Sequence, residues 1–69
     1  MGGVKIQMGD ADTVKSNSKQ LDAEGWTTII DACDTRDALE TLVRMLNDDA
    51  ISPENNWFRI IAGATVIKL

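Results

Sequence analysis

Residues 55–69, NNWFRIIAGATVIKL, decide the fold. They hold Trp57, Phe58, three isoleucines, Val66 and Leu69, against two charges, Arg59 and Lys68. "WFRII" and "ATVIK" both read as strands, because branched and aromatic side chains suit a pleated surface. Between them stands Ala62-Gly63. A glycine taking positive φ there makes a tight hairpin; a bulge at Gly63 would instead leave one long strand. In the hairpin, Phe58 and Ile60 share one face, and Trp57, Arg59 and Ile61 share the other. Both faces carry apolar residues, the mark of a strand buried on two sides or paired with another chain.

Working outward, 34–51, DTRDALETLVRMLNDDAI, has the period of a helix. At ~100° per residue, Ala38, Leu39, Leu42, Val43, Met45 and Leu46 fall within an arc of about 160°. Arg36, Glu40, Arg44 and Asp48 ladder the opposite side, with Glu40–Arg44 the better-ordered pair. Asp34 is a natural N-cap, and Asp37 favours the first turn. Upstream, Gly25 breaks the chain, and Trp26 to Ala32 reads as a strand. "VKIQM" alternates with Val4, Ile6 and Met8 on one side, a further short strand.

The segment 9–24 is polar, with Val14 and Leu21 its only large apolar residues. It reads either as a mobile loop or as a hairpin in which 13–15 faces 19–21. The expected fold is therefore α+β. A small antiparallel or mixed sheet of three to four strands carries one amphipathic helix on one face, in the order β-β-α-β-β, within a single domain over 1–69. One helix covers one face, so the other face is expected to expose some of Trp57, Ile61, Val4 or Ile6. An uncovered apolar face predicts a partner.

Composition narrows the function classes. The chain has 69 residues, a net charge of −4, one cysteine, no histidine and no tyrosine. At this size, apolar burial and the entropy of ordering nearly cancel, so self-association is a natural source of stability. No Ser-His or Cys-His dyad and no His-ligated metal site can be built within the chain. Cys33 has no base partner and reads as a plain packed thiol, and a lone thiol suits a reducing compartment. The start lacks the basic and apolar regions of a secretory leader, and no apolar run has the length of a membrane span. A cytoplasmic location is the expectation.

The paired acids Asp10 and Asp12, and Asp31, Asp34 and Asp37, read as caps and solvated residues. "DxD" alone is a weak cation signal, and the EF-hand spacing is absent. We therefore expect no catalytic residues, no cofactor, no metal and no small-molecule substrate. The residues expected to meet a partner fall in two groups. Trp57, Arg59 and Ile61 share one sheet face. Asp48, Asp49 and Glu54 make an acidic end where the helix dipole would favour cations.

The function expected is a small non-enzymatic protein–protein interaction module, an accessory or inhibitory factor. It would dock a sheet face, a sheet edge or the acidic helix surface onto a larger protein, and it would pair with itself as a homodimer. The alternative is a nucleic-acid-related protein: a single-strand binder using Trp57 and Arg59, or an acidic DNA mimic. The acidic balance and the scattered Lys and Arg argue against that alternative.

Overall fold

A computed structural model describes residues 3–69. The elements run β1 (Val4–Asp10), α1 (Ala11–Val14), β2 (Trp26–Ala32), α2 (Thr35–Asn47), β3 (Asn56–Ala62) and β4 (Thr65–Lys68). The four strands form one antiparallel sheet in the order β2-β1-β3-β4. The fold is α+β with the expected succession of strands, plus a short first helix that was not expected. β2 and β4 occupy the two sheet edges.

Register assigns the faces. Val4, Ile6 and Met8 of β1 lie opposite Ala62, Ile60 and Phe58 of β3. Ile30 and Ala32 of β2 lie opposite Ile6 and Val4. These residues face α2, whose Ala38 and Leu42 are buried with Val4, Ile6, Ile30, Phe58 and Ile60 in one core. Burial of this set is the main favourable term in folding. Val4 and Ile6 thus lie beneath the helix, which corrects the expectation that they might line an uncovered face. The β1–β2 register shifts between Ile6 and Gln7, leaving Ile29 as the extra residue of a bulge. The bulge lets Ile29 as well as Ile30 pack toward the core, while Trp26 and Thr28, opposite Gly9 and Gln7, stay on the far face.

α2 begins where Asp34 accepts a hydrogen bond from the Asp37 amide at 2.8 Å, as its N-cap position implies. It ends in a Schellman motif. The Ala50 N–H donates to the Met45 carbonyl at 3.0 Å and the Asp49 N–H to that of Leu46 at 3.3 Å. Asp49 takes φ 56°, the place where glycine is usual. The ion pair present among the described residues is Arg36–Glu40 at 3.4 Å. Glu40–Arg44, and an Asp48 satisfied by Arg44, do not form. Arg36 and Glu40 are well exposed, so their pair contributes little.

β3 and β4 form the hairpin rather than one bulged strand. Ala62 pairs with Thr65, and Gly63 turns the chain at φ 62°, a conformation that costs glycine little.

The segment between β1 and β2 is neither a hairpin nor an uncommitted loop. Asp10 Oδ1 accepts from the Asp12 and Thr13 amides and starts α1. Three successive turns follow, closed by Asn17 N–H to Val14 O, Gln20 N–H to Asn17 O and Ala23 N–H to Gln20 O. Ala11 N–H is tied to Asn55 O at 3.1 Å.

Candidate functional site

The far face of the sheet, opposite α2, carries Gln7, Gly9, Trp26, Trp57, Arg59, Ile61 and Val66. The expectation was that no element covers it. Segment 11–25 instead folds across part of it, and two residues anchor that cover.

The first is Val14, fully buried. Its methyls lie so close over Gly9 that a Cβ there would sit 2.7 Å from Val14 Cγ1. Gly9 is therefore required by a close approach of side chain to backbone rather than by its φ. The second is Arg59, also fully buried. Its Nε donates to Gln7 Oε1 at 2.9 Å. Nη1 donates to the Ser18 and Gln20 carbonyls at 3.3 and 2.7 Å, and Nη2 to the Leu21 carbonyl at 3.2 Å. The Trp26 ring lies 4.3 Å from the guanidinium carbon, near enough for a cation–π contact. Trp26 Nε1 in turn donates to Asn17 Oδ1 at 3.2 Å, and Asn17 Nδ2 to Glu24 O.

A charge out of water is costly unless its hydrogen bonds are made. Here neutral oxygens and a ring face do that work, and no carboxylate bonds to Arg59. Burial pulls the guanidinium pKa below the ordinary arginine range, yet arginine remains a cation at neutral pH. The arrangement clamps residues 18–21 onto β3.

Arg59 is consequently unavailable to a partner in this conformation, a correction to its placement among surface contacts. Trp57 and Ile61 share its face as expected but are only half-exposed. Lys68 Nζ sits 3.7 Å from the Trp57 ring centroid. An open platform of aromatic and guanidinium is therefore not what this face presents.

The acidic group lies elsewhere. Asp48, Asp49 and Glu54 are all exposed. Asp49 and Glu54 line an open depression of about 500 Å³ formed by residues 49–54. Among the described residues no cluster of three or more metal-ligating side chains occurs. Cys33 is exposed.

Exposed apolar side chains occur on the helix arc expected to be buried and on the terminal strand expected to be buried on both sides or paired with another chain. Leu39 and Val43 on α2 are 38% and 55% exposed, and Ile67 and Leu69 are 46% and 50% exposed. Ile67 lies opposite Ile60, and the Leu69 amide bonds to the Phe58 carbonyl, so both project from the helix side of the sheet. α2, however, packs mainly across β2 and β1, leaving that end of the face thinly covered. The helical period placed Leu39 and Val43 correctly on the apolar arc; it could not say how far round the arc the sheet reaches. Among the described residues no helix is long and apolar enough to cross a membrane.

Comparison with known proteins finds no matching family model, no similar curated protein and no similar solved structure.

Proposed function

We infer that this chain is a small, non-enzymatic, cytoplasmic protein–protein interaction module, and that it works by contact rather than by chemistry. The observation supporting this reading is the set of exposed apolar side chains on α2 and at the end of the β3–β4 hairpin. Leu39, Val43, Ile67 and Leu69 all stand substantially in solvent, on a protein small enough that each exposed large side chain weighs on its stability. Exposed apolar patches rimmed by polar residues are a common form of protein contact site. Asp48, Asp49 and Glu54 supply acidic character at one end of α2, which would steer a basic partner.

The test is affinity capture from the source cells with wild type beside Val43→Glu and an Asp48→Lys, Asp49→Lys double variant. Wild type is expected to retain a defined partner, Val43→Glu to lose it, and the double variant to weaken it in a salt-dependent way. Identical profiles for all three proteins would overturn the reading. The single-strand-binding form of the nucleic-acid alternative loses its support once Arg59 is buried. Elution from heparin in the void at low salt is the corresponding expectation.

A further inference from the structure

The free edge of β4 has a regular set of unpaired backbone groups whose geometry specifies what can pair with it. Leu69 N–H donates to Phe58 O. The β3–β4 register sets Ile67 opposite Ile60 and Thr65 opposite Ala62. In an antiparallel ladder the inward and outward backbone groups alternate residue by residue. Thr65, Ile67 and Leu69 therefore direct N–H and C=O toward β3, while Val66 and Lys68 direct theirs away from the sheet.

The other edge is less suited to accept a strand. β2 carries the bulge at Ile29, and bulges are one of the means by which sheets discourage edge pairing. The β3–β4 register contains no shift. Lysine on an edge strand is another such means, but Lys68 lays its ammonium over Trp57 on the far face.

We propose that the occupant of this edge is a second copy of the chain, with β4 pairing antiparallel to its counterpart about a two-fold axis through Ile67. This deepens the interaction-module reading and rests on it, by naming the partner of the β4 part of that surface. Residues directly opposed across an antiparallel pair share a face, so a symmetric register must centre on a residue. Centred on Ile67, the Val66 amide and carbonyl of each copy meet those of Lys68 in the other. Four backbone hydrogen bonds result, and every outward group of Val66 and Lys68 is used. Ile67 meets Ile67 as the close, non-hydrogen-bonded pair, Leu69 meets Thr65, and Lys68 meets Val66 rather than its own copy. The contact thus covers Ile67 and Leu69, the two exposed large apolar side chains of the hairpin, without opposing like charges. A two-fold perpendicular to the sheet makes one eight-stranded sheet with both α2 helices on the same side. The contact rests on one short edge strand from each copy, so association is concentration-dependent.

Two experiments test this. In sedimentation at high micromolar concentration, wild type is expected near 15 kDa, twice the 7.5 kDa chain. Val66→Pro should sediment as the single chain with its fold retained, because the amide it removes points away from β3. Second, in a Cys33→Ser background, Ile67→Cys should oxidise to a disulfide-linked dimer and Val66→Cys should not. Directly opposed Cα atoms about 4.5 Å apart fall in disulfide range, and this readout is independent of how Val66→Pro folds. A 7.5 kDa wild type without cross-linking at 67 overturns the proposal, as does preferential cross-linking through 66. A monomer that still captures a heterologous partner in a Val43-dependent way would leave the interaction-module reading standing and remove only the self-pairing.

Discussion

Arg59 is the residue on which the far face depends. Its guanidinium makes four hydrogen bonds that no other side chain could reproduce in that plane. A lysine ammonium is a point charge on a flexible stem and would match the fork poorly. Arg59→Lys is expected to cost about 3 kcal/mol, since hydrogen bonds to charged groups are worth ~1.5–3 kcal/mol each and orphaned carbonyls add to the loss. The urea midpoint measures this, and a midpoint unchanged from wild type would refute the clamp. At Asp49 the sign reverses. An acid held at φ 56° at the negative end of a helix is unfavourable in backbone and in charge. Asp49→Gly should therefore stabilise the protein by about 1 kcal/mol, visible as a raised melting temperature.

At the scale of the element, segment 11–25 shows how a polar stretch can order without an apolar face of its own. Its side chains contribute one buried plug, Val14. Most of its attachment runs through backbone carbonyls offered to Arg59 and through Asn17, which bonds both Glu24 O and Trp26 Nε1. Asn17→Ala should loosen the strap at a cost of about 1–2 kcal/mol, with amides 16–24 exchanging faster while those of β1 and β3 keep their protection. Gly9→Ala should weaken the same strap by steric conflict with Val14, at a cost of about 1–3 kcal/mol. The start of α2 was legible to within a residue, because its period and its Asp34 cap are local signals. The bounds of β2 were legible for the same reason, with Gly25 before it and Thr, Ile and Trp within it. The strap was not legible. Carbonyl groups are common to every sequence, and the arginine that collects them lies 38–41 residues away.

At the scale of the whole molecule, the argument that one helix cannot roof two faces needs restating. The backbone is a slab, with principal-axis extents of 29 × 28 × 14 Å. α2 roofs one side over β1 and β2, and the strap roofs part of the other. What is left over is the margin around β4 and the flank of α2. If copies pair through that margin, stability becomes concentration-dependent by mass action. The melting temperature of wild type should rise as protein concentration rises, and that of Val66→Pro should stay constant. Of the six residues first selected as contacts, Asp48, Asp49 and Glu54 are at the surface, Trp57 and Ile61 are half-covered, and Arg59 is enclosed.

Near-neighbour chemistry in the chain was enough to establish the α+β class, the turn glycine at 63, the capped amphipathic helix and the lack of a histidine-based site, because each depends on residue type and spacing over a few positions; that Gly63 closes a hairpin and not a bulge came from the strand pairing. Folding in three dimensions was needed to decide which face each strand presents to which cover, that Arg59 turns inward to gather carbonyls, and that Ile67 and Leu69 emerge beyond the reach of α2. Those outcomes depend on strand order, register and the lateral position of one helix, which are set by contacts between residues far apart in the chain and leave no local trace in it.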